Sequence, residues 1–421
     1  VTRVGFRFFV VYLGLFSLAT QITGSLLPNT FFYYRGLGPL WPMRDITTLT
    51  GRYLFGVEVP PGAAGTGGEP LAFWIQWSWI LLASIAATIA WSIASRPGAE
   101  YTRLHAWFRL FVRIALAASL FEYGMTKVVP TQFPAPSLTT LVTPVGDLTL
   151  SALLWTTIGA SPAYQIATGC VEVLGGILLL APRTTMAGAL ISVAAAAHVL
   201  LLNLTFDIGV KLVSFHLVIM AAFLLAPGAR RLVSVLLRNR PDTSADDAAI
   251  ARTPGGRRAA VAAPMLIGAA LLAMFTYINV RFWYAGGGGA PRSPLYGIWQ
   301  VERLSVDGVV REPHLNDYDN RWRRVIFDAP DSVVVQRTDD SFGRFGTSVD
   351  DRSRTLIMTK GGSRTWRGAF RYDRPETDRL VLDGEMDGSR IRVELRRVEL
   401  DTFRLINSPF RWIRPHGRSM D

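Results

Sequence analysis

Lys127 and Lys211 are two of only three lysines in a chain that takes the rest of its positive charge from arginine. Both stand at the edges of long apolar segments, in company with Glu122, Glu172, Asp207, His198 and His216. Charged groups at membrane depth are costly unless paired or wetted, so they mark sites. The residue types suit two kinds of chemistry. Glu122, Glu172 and His216 could exchange protons, and Lys127 and Lys211 could stabilise negative charge on a bound molecule.

The spacing sharpens this. Glu172 sits in the middle of an apolar run, where a carboxyl needs a partner or a proton, and Lys127 or Lys211 is the expected partner. Lys127 also reads as a lysine snorkelling to the interface, and Arg113 as an interfacial anchor. His198 lies nine residues before Asp207 and His216 nine after it. Nine helical residues rise ~13 Å, so two adjacent antiparallel helices would hold both rings at similar depth. Such a pair could ligate haem, bind a quinone oxygen or relay protons, or be two unrelated hydrogen-bonded side chains. No third ligand stands at a spacing that suits zinc. Asn203, Asp207 and Lys211 recur every four residues, and Asp207 with Lys211 also reads as a local ion pair.

Seven apolar stretches could carry these groups across a bilayer: residues 4–27, 71–94, 106–128, 163–180, 185–204, 210–226 and 260–284. Each is near the ~20 residues a crossing needs. Arg3 and Arg7, Arg96, Arg103 and Arg109, Arg183, and the arginines 230, 231, 238, 240, 252, 257 and 258 all fall on one side of a seven-span layout. The positive-inside rule makes that side cytoplasmic. The N-terminus is then cytoplasmic and residues 295–421 lie outside the cytoplasm. The first stretch is read as a retained helix, because it is long and no Ala-x-Ala site follows it. The outer loop 130–162 is longer than ordinary connections and carries one charge, Asp147. Its apolar residues 148–158 are too few to span, and the loop reads as a proline-bearing lid or re-entrant segment over the charged cluster. Gln132, Asp147 and Trp155 join His198, Asn203 and Asp207 as candidate ligand contacts.

The net charge of +12 does not mark a nucleic-acid binder. Residues 1–294 hold 21 Lys+Arg against 11 Asp+Glu, and residues 295–421 hold 23 against 21. The excess therefore lies in loops beside apolar helices, where topology and anionic lipid account for it. A single cysteine, Cys170, excludes an intrachain disulfide and reads as a small buried hydrophobe.

Residues 239–258 read as a flexible cytoplasmic loop, and 286–294 as a glycine-rich tether. Beyond it, short extended runs at 323–327, 332–336, 356–359, 366–372, 379–383 and 391–395 alternate with turn signals, Asp387-Gly388 being the best hairpin signal. The spacing predicts an antiparallel barrel or sandwich of about eight strands. Its interior could be hollow or filled, with Phe403, Phe410 and Trp412 in the core.

Two resemblances add to this reading. Residues 103–232 hold, in order, Tyr123-Gly124 with Lys127, Gln132-Phe133-Pro134, Gly146-Asp147 with Leu154-Trp155, Gly169 with Glu172 and Gly175-Gly176, Arg183-Thr184, Asn203, Asp207, Lys211 and residues 224–227. On these residues the stretch resembles the DoxX-like family of bacterial membrane proteins, which implies a bacterial plasma membrane. The resemblance implies a four-helix core and redox or quinone-linked work. Leu295-Tyr296-Gly297-Ile298-Trp299 is similar to the opening strand of lipocalin-like barrels, which implies a tryptophan closing one barrel end against a late arginine, here Arg404 or Arg411. The expectation is a mainly α transmembrane bundle of about seven spans with a four-helix core, plus a C-terminal antiparallel β-barrel-like domain. Its divisions are 1–102, 103–232, 233–294 and 295–421. The expected function is binding of an amphipathic molecule at the polar cluster, with quinone or haem as candidate cofactor and lipid and oxidoreductase subunits as candidate partners. The alternative is a non-enzymatic lipid carrier or assembly protein that works through its tail.

Overall fold

A computed structural model describes residues 3–26, 42–59, 71–96, 100–229, 232–234, 253–313, 321–361, 366–407 and 412. The chain divides into two compact units, residues 1–132 with 163–281, and residues 133–162 with 282–421.

The first unit is helical. Its elements are α1 (Arg3–Ala19), α2 (Gln21–Leu26), α3 (Met43–Leu54), α4 (Leu71–Ala94), α5 (Thr102–Val128), α8 (Pro162–Leu180), α9 (Thr185–Thr205), α10 (Lys211–Leu225) and α11 (Pro254–Gly286). Among the described residues, six helices are long and apolar enough to cross a membrane: α4, α5, α8, α9, α10 with its 3-10 extension to Gly228, and α11. The expected first span differs. It breaks at Thr20 into α1 of 17 residues and the six-residue α2, and α1 alone rises only ~26 Å against the ~30 Å of a bilayer core. α5 is the most enclosed helix, with Val112, Ala115, Leu116, Ala117, Ala118 and Phe121 buried along it. Polar residues on α4 (Gln76, Ser84 and Thr88) face inward, while its large apolar side chains are mostly exposed. That inversion suits a helix whose outer side meets lipid.

The second unit is a closed barrel with one polypeptide strap. Strands β1 (Gly297–Val306), β2 (Val309–Val310), β3 (Trp322–Ala329), β4 (Ser332–Arg337), β5 (Phe342–Asp350), β6 (Thr355–Thr359), β7 (Arg367–Asp373), β8 (Arg379–Met386) and β9 (Ser389–Arg397) run antiparallel in sequence order. β1 pairs with β3 through Gly297–Gln300 and with β9 through Trp299–Val306, shifting register between Val301 and Arg303. That shift lets one strand serve both edges and close eight strands, with β2 as a short addition. Asp387-Gly388 turns β8 into β9 with φ of +50° and +83°, as a two-residue hairpin requires. Gly362, half of another expected turn, lies outside the described residues.

Alternation decides the interior. β7 buries Gly368, Phe370 and Tyr372 and exposes the residues between them. Trp299, Phe327, Leu356, Met358, Leu380, Leu382 and Val393 fill the centre with Phe370 and Tyr372, so the barrel is packed and not hollow. Trp299 is fully buried, donates Nε1–H to the Leu295 carbonyl at 2.9 Å, and lies under the Arg374 guanidinium at 5.8 Å. Arg374 belongs to the β7–β8 turn. Arg404 is exposed, and Arg411 lies outside the described residues. Phe403 packs on the outer wall and Trp412 is 91% exposed, so neither is in the barrel core. Phe410 lies outside the described residues.

The strap is residues 133–162, with α6 (Leu138–Leu141) and α7 (Leu150–Gly159). Leu138, Leu141 and Val142 cover Ile298, Ile326 and Val334 on the outside of β1, β3 and β4. The expected lid is therefore a segment docked on the barrel wall. The expected tether at residues 286–294 also differs. Gly287 and Gly289 donate to the carbonyls of Phe282 and Trp283 at 3.0 and 3.1 Å, and the glycines fold onto the Trp283 indole, where a Cβ at Gly288 would collide. An ordered helix cap replaces a flexible linker. Most of the expected cytoplasmic loop, residues 239–252, lies outside the described residues, and Pro254 to Arg258 form the first turns of α11.

Candidate functional site

Lys127 and Glu172 meet. The Lys127 Nζ lies 2.9 and 2.8 Å from the two carboxylate oxygens, and both residues are buried, at 7% and 5% exposure. The third ammonium donor points to the Tyr123 carbonyl at 3.4 Å, and Nζ stands 5.9 Å from the Tyr123 ring. The backbones allow this closeness because they carry no Cβ at the crossing of α5 and α8. A Cβ on Gly169 would fall 2.7 Å from the Gly124 oxygen and 2.7 Å from the Lys127 Cβ. One on Gly124 would fall 2.8 Å from Val173. Further along, Gly176 packs against the Phe121 ring, and Gly175 faces Ser192 of α9. Small residues thus bring the helices close enough for one lysine to reach one glutamate.

The remaining expected groups are dispersed. Glu122 is half-buried on α5, and its five-residue offset turns it ~140° around the helix from Lys127. Lys211 pairs locally with Asp207 at 3.0 Å, i to i+4, with the Asp207 side chain 89% exposed. The local ion-pair reading therefore holds, and Glu172 takes Lys127 as its partner. Asn203 is buried and donates Nδ2–H to the Ser214 hydroxyl at 3.1 Å, which ties α9 to α10. Gln132 accepts from the Thr126 hydroxyl at 3.1 Å, and its N–H caps the Thr126 carbonyl at 2.9 Å, so it ends α5. Asp147 is exposed and the Trp155 ring packs at a tilt against Phe133, 4.7 Å between centroids, both within the barrel's unit.

The two histidines do not form a pair. His198 is exposed on α9, whereas His216 on α10 is fully buried. His216 Nδ1 lies 2.6 Å from the Leu212 carbonyl, which can only accept. The proton is therefore on Nδ1, and Nε2 accepts from the Tyr12 hydroxyl at 2.6 Å. Tyr12 in turn accepts from Trp77 Nε1–H at 2.7 Å, and the Phe16 ring stacks on the imidazole at 3.4 Å. Both ring nitrogens are engaged, in a directed chain that joins α4, α1 and α10. Both nitrogens of His216 thus have partners within the protein.

Tyr12, Phe16 and Trp77 were not foreseen as partners, although their aromatic–polar character on neighbouring apolar helices was the available signal. Arg113 was expected at the interface. It is buried and donates to the Leu179 and Leu180 carbonyls at 2.8 and 2.9 Å, satisfying the C-terminal end of α8. Arg7, expected only as a cytoplasmic charge, is buried with its guanidinium on the Tyr101 hydroxyl at 2.9 Å. Cys170, two residues before Glu172, is exposed and not buried.

Fold and site define a multi-pass membrane protein that carries a closed antiparallel β-barrel. No family model and no solved structure matches the chain. Over 141 residues it is 35% identical to the uncharacterized protein YwoB of Bacillus subtilis (strain 168). The match takes in 33% of this chain and 85% of YwoB, and the chain belongs to the family of that protein.

Proposed function

We propose that the protein is a non-enzymatic membrane assembly protein: a locked helical scaffold that presents the barrel to partners. One observation carries this reading. The groups with the chemistry to react, Lys127, Glu172 and His216, are engaged by partners within the protein and stand in separate networks. A lysine whose ammonium donates to a carboxylate is a poor hydrogen-bond donor for a new ligand until that pair opens, and opening a buried pair is costly. The filled barrel interior turns the reading from lipid carriage towards surface recognition. The outer face of β8 and β9 offers such a surface, with exposed Arg390, Arg392 and Arg396 interleaved with Asp383, Glu394 and Asp378. We take α1 and α2 together as a seventh crossing of a bacterial plasma membrane, which puts the N-terminus in the cytoplasm and the barrel outside.

A second reading, quinone-linked redox work in the manner implied by the DoxX-like resemblance, is favoured by the Tyr123 ring beside the Lys127–Glu172 pair. One experiment separates the two. Intact membranes are cross-linked with and without Arg390→Glu and Arg392→Glu, and the purified protein is titrated with a quinol under optical detection. The assembly reading expects a cross-linked species that the reversal removes, and no quinol response. A quinol-dependent spectral change that Glu172→Gln abolishes, with no cross-linked species, would replace it with the redox reading.

A further inference from the structure

Among the described residues, the strap's second helix has an apolar side that stays exposed. On α7, Leu154 and Ile158 are buried, while Leu150 and Leu153 are exposed on a shared face with Thr157, at i, i+3 and i+7. Val145, just before the helix, is 71% exposed and Leu150 is 58% exposed, with Trp155 at the margin of the buried side. No residue of α7 is charged. Ten residues cannot span a bilayer.

The position of this helix along the chain selects the occupant. α7 ends at Gly159, and α8 begins at Pro162 and is long and apolar enough to cross a membrane. The two linking residues reach at most ~10 Å. The C-terminal end of α7 is therefore held near the start of α8, and a helix lying flat from that point keeps Leu150 and Leu153 at the same level. An uncharged face with a tryptophan at its edge suits the headgroup–acyl boundary. We propose that α7 lies in the plane of the membrane interface, with Val145, Leu150 and Leu153 inserted among lipids.

The same segment is firmly joined to the barrel. The Leu138 N–H donates to Asp328 Oδ2 at 3.1 Å, and Gln336 Nε2–H donates to the Val142 carbonyl at 3.3 Å. Gly159 packs its backbone against Pro134, and the Phe133 ring packs at a tilt against Trp155. α7 is thus a lipid-facing foot of the barrel's own unit. This inference needs only the membrane assignment of α8 and is independent of the assembly reading.

The test uses the full chain in lipid nanodiscs. A Cys170→Ser background receives a nitroxide at Leu150→Cys, Leu153→Cys or, as an aqueous reference, Glu385→Cys. Collision with oxygen is compared with collision with a water-soluble nickel chelate. The expected result is an oxygen-to-nickel ratio several-fold higher at 150 and 153 than at 385. In the unsubstituted protein, a membrane-dissolved carbene reagent should tag residues 150–155. A ratio equal to that at 385 would place the face in water. Low collision with both reagents would place it under protein, a partner or a second copy. Either result, or a wild-type chain untagged there, overturns the proposal.

Discussion

The buried side chains of the helical unit include a lysine, a glutamate, an arginine and a histidine, each with a protein partner. Those filling the barrel are Trp299, Phe327, Leu356, Phe370 and their neighbours, while its ion pairs stand on the outer wall. The difference follows from the surroundings. In water, apolar burial drives the barrel together and alternation decides which side is inside. Between apolar helices in lipid that drive is weak, and close backbone packing with polar partners must supply the specificity. Polar residues therefore act as locks in one unit and as solvated surface in the other.

The largest effects should fall on these two kinds of interior. Lys127→Met strands the Glu172 carboxylate, and thermal unfolding in detergent should show about 3–5 kcal/mol lost from the helical unit. An unchanged melt would remove the lock from the comparison. Trp299→Ala opens the barrel centre and should cost about 3–5 kcal/mol, read from loss of near-ultraviolet circular dichroism with the helical signal retained. Simultaneous loss of both signals would join the two units energetically. A smaller effect, about 1–3 kcal/mol, is expected from Gly169→Ala, whose methyl meets the Gly124 carbonyl and the Lys127 stem. A neutral result would mean that α5 and α8 part easily.

The smallest effect is a pH limb peculiar to the barrel. Tyr372 is buried and donates to Asp351 at 2.7 Å, and burial first, then that carboxylate, push its phenol from 10.0 up to about 12. An unfolded tyrosine ionises near 10, so the folded state holds its proton longer. This stabilisation is whole below pH 10 and is lost as pH rises to 12. Tyr372→Phe should flatten the fall in barrel stability over that window. An identical fall in the variant would assign it to other groups.

How legible all this was in the sequence depended on the period of the pattern. Long apolar runs placed α4, α5, α8, α9, α10 and α11 within a few residues, because a bilayer crossing needs length more than detail. Seven of the eight barrel strands were visible through alternation or the Gly-x-Trp opening. β5 was missed because Gly343 and Thr347 dilute its apolar face and Gly346 and Ser348 weaken the contrast on the other. The Lys127–Glu172 pair was readable because an intramembrane carboxyl needs a partner and few were on offer. The histidine pair was not real, since depth along a helix says nothing about rotation around it: His198 and His216 share a level on paper and face different surroundings. The Tyr12–His216 contact spans 204 residues, and no local pattern encodes it. The strap misled for a related reason. Leu138, Leu141 and Val142 are covered by barrel strands more than 150 residues away, while Val145, Leu150 and Leu153 stay exposed, and no local pattern separates the two groups.

The central claim is that Lys127 and Glu172 form a closed structural lock. A double-mutant cycle on full-length protein in nanodiscs, with Lys127→Met, Glu172→Leu and the combined variant, tests it most directly. The account predicts that each single change is strongly destabilising and that the pair of changes restores much of the loss, with a coupling of about 2 kcal/mol or more. Two harmless single changes with no coupling between them would contradict it.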